Sequence, residues 1–317
     1  MRIIIRLGLV LSLLWWAACS WIPSKHGTTS DSVNWDDHPE MFPIAIEQEG
    51  NFRSSNAPSA PRTPVMAIVF GPGVNHTLAY LAVLKVFQQK GIKFQIAAGS
   101  ELGACWALWY AQQLSLGRME WLFYQYLRRP LETPFSKAWQ KMLRGLWGKS
   151  WPSGRIEDQR LVLVLPFGHH GEVEYGRRGS LGAAMEANLK LNFGLKNLPG
   201  PLKFAPVLRQ AGADLVFGLN VLGDGTNLRF QSESRFQKLG QPYQNFAEGH
   251  IMGQKDFDLV LDLPVVGPLD NSDDAQALMG TYEQLAVKFV QQITEKVTAW
   301  QQDRPELDPA ENTGTFE

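Results

Sequence analysis

The chain has little that would serve a small stapled fold or a charged carrier. Only two of its 317 residues are cysteine, Cys19 and Cys105, too few for a disulfide framework. Neither sign of charge dominates: 30 Lys and Arg stand against 31 Asp and Glu, a formal net charge of −1. That balance gives no chain-wide attraction to nucleic acid or to an anionic surface. Histidines number six, and none has convincing metal-ligand spacing. His169 and His170, with Glu172 nearby, come closest, but adjacent residues on an extended chain point in opposite directions. The apolar run from Leu7 to Ala18 is too short to span a bilayer comfortably. What remains is 44% hydrophobic and 19% charged, a composition that fits one main globular domain with a substantial core.

The N-terminus carries Arg2 and Arg6, then the apolar run, then small residues before Cys19, the order of a secretory signal. Ala17-Ala18-Cys19 resembles the lipobox of bacterial lipoproteins, with Trp16 where leucine is usual. The resemblance implies cleavage after residue 18 and lipidation of Cys19. A chain exported this way is anchored by acyl groups to the cell envelope, and Ser20, in place of an aspartate, points to the outer membrane facing the periplasm. An ordinary signal peptide with an incidental cysteine is the alternative. With Cys19 lipidated, Cys105 has no disulfide partner, and a small, buried, apolar role is expected for it.

Residues 19–63 are rich in Ser, Asn, Asp and Pro and read as a tether. Strand and helix patterns then alternate over residues 64–302, and residues 303–317 read as a frayed tail. "VMAIVF" is a continuous apolar run of the kind found in buried parallel strands. It leads through "GPGVNH" into the helical "TLAYLAVLKVFQQKG", where Gly91 suits the C′ position. "IKFQIAAG", "RLVLVLPFG", "DLVFGLNV" and "FDLVLDLP" are further strands. Helices are expected over "GACWALWYAQQL", "LGAAMEANLKLN" and "LKFAPVLRQAG", with one long helix over "DDAQALMGTYEQLAVKFVQQITEKVTAWQQ" closing the domain. The fold class is therefore α/β, a three-layer α/β/α sandwich around a central, mostly parallel sheet. Residues 117–150, with "MEWLFYQYLRR" and "FSKAWQKMLRGLWG", are amphipathic and aromatic, either core and cap or a lipid-facing surface.

Gly99-Ser100-Glu101-Leu102-Gly103 has the spacing of a nucleophile elbow. Such an elbow mounts its central residue on a strained strand-to-helix turn, with glycines where the backbone passes too close for a side chain. In context, "VMAIVFGPGVNHTLAYLAVLKVFQQKGIKFQIAAGSELGACWALWYA" (residues 65–111) resembles the opening of a patatin-like phospholipase domain: strand, glycine-rich loop, helix, strand and elbow. "GSLGAAMEANLKLNF" and "APVLRQAGADLVFGLNV" are similar to segments on either side of that family's catalytic aspartate, so the resemblance covers roughly residues 64–222.

In that family a serine attacks an ester, an aspartate activates it, and backbone amides of a glycine loop hold the oxyanion; here each part departs. The nucleophile position is Glu101, and loss of a nucleophilic serine costs on the order of a million-fold in turnover. No aspartate stands between "NLKLNF" and "APVLRQAGAD", where Lys196 and Asn197 fall instead. Asp224-Gly225 follows the next strand, on the wrong side, and reads as a turn. The loop is Gly71-Pro72-Gly73-Val74-Asn75-His76, and Pro72 removes a backbone donor; one such donor is worth about 3–4 kcal/mol of transition-state stabilisation.

Three departures at three parts of one mechanism point to a non-catalytic protein, a vestigial elbow (Gly99, Glu101, Gly103) beside a vestigial loop (Gly71, Pro72, Gly73). It would bind lipid or a protein partner and need no cofactor, metal or nucleic acid. The opposing expectation is an acyl hydrolase of phospholipids or lysophospholipids with a rearranged nucleophile, Ser100 included. Glu101 is expected either to fill the old oxyanion pocket, accepting loop and helix amides, or to be a tolerated acid at a helix N-terminus. His76 is a candidate base that could also be a surface group. Arg177 and Arg178 precede an N-cap at Ser180 and are solvated charges or a headgroup site.

Overall fold

A computed structural model describes residues 63–127, 141, 152–169, 172–191, 202–222, 256–265, 267 and 272–303. The leader, Cys19, most of the tether, Lys196, Asn197, His170, Asp224 and Gly225 lie outside these residues. Among those described, no helix is long and apolar enough to cross a membrane.

Among the described residues six strands form one sheet in the order β4-β3-β2-β1-β5-β6. They are β1 (Met66–Phe70), β2 (Ile96–Gly99), β3 (Val162–His169), β4 (Glu172–Gly176), β5 (Leu215–Asn220) and β6 (Leu259–Asp262). All neighbours run parallel except β4, which pairs antiparallel with β3 at the edge. Among the described residues seven α-helices accompany them: α1 (Ala79–Lys90), α2 (Leu102–Ala111), α3 (Leu116–Leu127), α4 (Leu181–Leu191), α5 (Phe204–Gln210), α6 (Ser272–Ala277) and α7 (Met279–Gln302).

The two faces of the sheet sort by the period-two alternation of each strand. Met66, Ile68 and Phe70 of β1 point into the larger core with α1, α2, α3, α4 and α7. Ala67 and Val69, with Ile96, Ala98, Val164 and Val216, face the smaller core built on Phe204, Ala205 and Leu208 of α5. The expected α/β sandwich is present, with layers of unequal weight among the described residues. Aromatic contacts tie the large core together: Phe94 meets Phe217 edge to face at 5.8 Å, and Trp106 meets Phe123 at 5.2 Å.

Several expected elements differ in detail. β2 begins only at Ile96; just before it, Gln95 donates its backbone N–H to Met66 O and accepts the Met66 N–H on its side-chain Oε1. The expected long C-terminal helix is two helices broken at Leu278, whose φ of −90° and ψ of 1° lie outside the helical basin. A five-residue 3₁₀ turn, Val74–Leu78, takes up the end of the expected loop and the first two residues of the expected helix, so α1 starts at Ala79. β4 was not anticipated. Gly91 does end α1 in a left-handed conformation, at φ 72°, with Ile92 N–H donating to Phe87 O at 2.9 Å.

Candidate functional site

The site sits at the carboxyl ends of β1, β2 and β5. Connections leave β1 toward β2 and leave β5 toward β6, so the sheet order switches between β1 and β5, where open α/β sheets form their ligand crevice. β1 delivers the Gly71-Pro72-Gly73 loop to this point, and β2 delivers the elbow. Phe70 and Gly99 are register partners, which fixes the two turns side by side.

The elbow has the strained geometry its glycines foretold. Glu101 is a non-glycine residue at φ 60° and ψ −129°, immediately before α2, a conformation that typically costs about 1–3 kcal/mol. A Cβ on Gly99 would lie 2.3 Å from Gly103 O, and one on Gly103 would lie 2.2 Å from Phe70 O and 2.5 Å from Gly71 O. Both glycines are thus required by close backbone approach, Gly99 to α2 and Gly103 to the end of β1. Val74 is also strained, a β-branched residue at φ 47°.

The Glu101 side chain is fully buried, and its Oε2 accepts the Gly73 N–H at 3.1 Å. It makes no side-chain cap bond to its own helix. Of the expected contacts the loop amide is there and the helix amide is not; the picture of an acid with no special contacts is excluded. At the first three positions of the loop, Gly71 N–H goes to Leu219 O at 3.0 Å, Pro72 has no N–H, and Gly73 N–H goes to Glu101. Gly73 also packs against β5's exit, where an added Cβ would come within 2.0 Å of Val221 Cγ2. The Tyr80 hydroxyl lies 2.9 Å from Gly71 O and 3.1 Å from Leu219 O, so it donates into the same crevice.

Asn188, fully buried on α4, brackets the elbow. Its Oδ1 accepts the Glu101 N–H at 3.0 Å, and its Nδ2 donates to Pro166 O at 2.8 Å and, more weakly, to Gly99 O at 3.4 Å. Sequence reasoning passed over it, although a signal was present. Leu181, Ala184, Met185 and Leu189 form the apolar stripe of α4, and Asn188 falls on that stripe at helical spacing. A polar residue there must find buried partners. Tyr80 was passed over too.

The electrostatics follow from burial beside a carboxylate. Burial first, then the Glu101 charge, raises the Tyr80 hydroxyl well above its ordinary pKa. Burial and then Glu101 likewise push the Cys105 thiol far upward. Cys105 is buried as expected, and its protonated thiol is a poor nucleophile.

Other candidates fall elsewhere. Ser100 is fully buried, and its Oγ has no hydrogen-bond partner among the described residues; no base activates it there. His76 lies in the 3₁₀ turn and is fully buried, which corrects its reading as a surface group. His169 and Glu172 are register partners across the β3–β4 hairpin, and among the described residues no group of three or more His, Cys, Asp or Glu is placed to hold a metal ion. Ser180 caps α4, its Oγ accepting the Ala183 N–H at 3.4 Å, with Arg177 half-buried and Arg178 exposed before it.

No family model and no curated protein matches the chain. Among solved structures it is similar to the type III effector protein ExoU, at 11% identity and a TM-score of 0.39 over 73% of this chain and 54% of that one. The heterodimeric ExoU–SpcU complex from the type III secretion system of Pseudomonas aeruginosa gives 12% identity and a TM-score of 0.38, over 75% and 52%. The chain spans about half the length of these structures.

Proposed function

We propose that this chain is a non-catalytic, patatin-like lipoprotein of the bacterial cell envelope, anchored through Cys19 to the outer membrane on its periplasmic side. In this reading the α/β domain binds a lipid or a protein partner, and the former catalytic corner serves the fold. The observation that carries the reading is the Glu101–Gly73 hydrogen bond within a fully buried corner. A carboxylate stands where an ester-cleaving serine would act, and it consumes the loop donor that an oxyanion would need. Gly71 is engaged with Leu219 and Pro72 has no N–H, so none of these three positions offers a spare amide to a tetrahedral intermediate.

Two experiments test this. A fluorophosphonate probe applied to the purified chain is expected to label no serine; robust labelling of Ser100 or any other would establish an acyl hydrolase. Glu101→Ser, assayed beside wild type on a short-chain ester, is expected to stay inactive, because Pro72 still removes a donor and no aspartate follows α4 in residues 192–201. A large gain from that one change would refute the reading.

A further inference from the structure

We propose that α6 is a gate: it lifts from the Val74–Leu78 turn while the rest of the domain stays folded, and so opens the polar corner at the switch point to water and small solutes. Leaving tyrosine and tryptophan aside, every buried polar side chain among the described residues lies at the carboxyl end of the sheet. Three of them, Asn75, His76 and Thr77, are in the turn that α6 packs on. The others are at the elbow, on α4 at Asn188 and at the end of β5 at Asn220. Such an interior is easier to open than an apolar one, because the groups uncovered find water to replace the hydrogen bonds they give up.

The cover itself is lightly held. α6 is six residues long and buries one side chain, Ala275, with Asp273, Gln276 and Ala277 exposed. The large apolar groups of the turn, Val74 and Leu78, belong to the core beneath and keep the turn in place when α6 leaves. Regular geometry fails on both sides of α6. Gly267 stands at φ 81° against the Asp274 carboxylate, where an added Cβ would come within 1.9 Å of Oδ2, and Leu278 lies outside the helical basin. Positions of this kind absorb the backbone rotation of a hinge. The base, by contrast, is pinned: Leu263 N–H donates to Asn220 O at 2.7 Å, and the Tyr282 hydroxyl donates to Pro264 O at 3.0 Å. The chain that carries α6 therefore leaves and rejoins the domain at one tied point. Few buried apolar contacts above a fixed base mark a unit that opens at a lower free energy than global unfolding. The inference depends neither on the lipid anchor nor on the loss of catalysis.

The test is hydrogen exchange of the full chain in urea below its unfolding transition, together with modification of His76 by diethyl pyrocarbonate, both read by mass spectrometry. The α6 amides and the Leu278 N–H, which donates to Asp274 O, are expected to exchange about a hundred-fold faster than those of β1 and β5, and with little dependence on urea, as an opening that exposes little surface should. His76, fully buried, is expected to be modified in the folded chain. Ala275→Gly should speed α6 exchange and His76 modification by one common factor of about five. Val216→Ala, in the smaller core on the opposite face, weakens the whole domain and should speed exchange in β1 and β5 while leaving α6 and His76 unchanged. If α6 and His76 respond to Val216→Ala in step with β1 and β5, the corner is reached only by global unfolding and the inference is overturned. Fast local exchange of α6 with His76 unmodified until the chain unfolds would mean that α6 frays without uncovering the corner, and would overturn it too.

Discussion

Gly103→Ala is the substitution that bears most directly on the elbow. In the native structure the added methyl would sit 2.2 Å from Phe70 O, 2.5 Å from Gly71 O and 2.8 Å from Phe70 C. All three are backbone atoms, so no flexible side chain can swing aside. Relief requires moving the helix away from the end of β1 by close to an ångström, and β1's end carries Gly73 and with it the Glu101 hydrogen bond. Overpacking of this kind typically costs about 1–3 kcal/mol and occasionally more, and a backbone-on-backbone contact belongs at the upper end. At about 2–4 °C per kcal/mol for a domain of this size, melting should fall by roughly 6–12 °C. Gly117→Ala and Gly280→Ala make the contrast: both glycines are helical with open space where the methyl would go, so each change should stabilise by about 0.5–1 kcal/mol. Thermal and urea unfolding followed by circular dichroism measures all three. If Gly103→Ala unfolds within about 0.5 kcal/mol of wild type, the size of an ordinary surface change, α2 does not pack on β1 as described and the elbow argument fails.

Three further outcomes follow from the same geometry. Asn188→Ala strands the Glu101 N–H and the Pro166 carbonyl in the core, and at about 1–3 kcal/mol for each of these two groups should destabilise by roughly 2–6 kcal/mol in urea titrations; Asn188→Asp keeps the acceptor but not the donor and should not restore stability. The Tyr282 hydroxyl, pushed up to about 12 by burial and then by Asp274, is protonated in the folded chain over a range where the unfolded chain ionises. Its contribution is whole below the ordinary value of 10.0 and is lost as pH climbs toward 12, so Tyr282→Phe should flatten the fall in stability over that window. The same change removes the bond to Pro264 O at 3.0 Å, a cost of about 1 kcal/mol at neutral pH. Cys105 should resist maleimide at pH 8 in the folded chain and react on unfolding.

The parts of the fold legible in the sequence are those whose signal is local. β1, α1, β2 and α2 follow from an apolar run, a helical stripe ended by Gly91, and a pair of glycines four apart. The position of Glu101 at the strained corner followed from the same glycines, because only a close backbone approach needs both. Elements decided by distant partners were not legible. β4, "EVEYG", has two acids in five residues and becomes a strand only because β3 supplies a ladder at the sheet edge. The break at Leu278 falls inside a continuous helical pattern. Burial of His76 depends on what packs over the loop, which neither the loop's own residues nor their spacing encode. Asn188 could be read as a polar intruder in an apolar stripe, but its partners, Glu101 and Pro166, stand 87 and 22 residues away.

Strain at such a corner is ordinarily explained by the chemistry it enables, since presenting a nucleophile above the sheet requires a turn few residues adopt. With Glu101 buried and bonded to the loop, the contacts that hold the strain can be named. Two sets of contacts do this. Asn188 takes the elbow's N–H and ties its backbone to β3, and the carboxylate takes Gly73 N–H at the end of β1. Hydrogen bonds of about 0.5–1.5 kcal/mol each together match about 1–3 kcal/mol of backbone strain. A serine at residue 101 would keep the strained backbone and lose the longer reach to Gly73. These contacts lock the β1 and β2 turns together, and the glutamate is the residue that makes the lock.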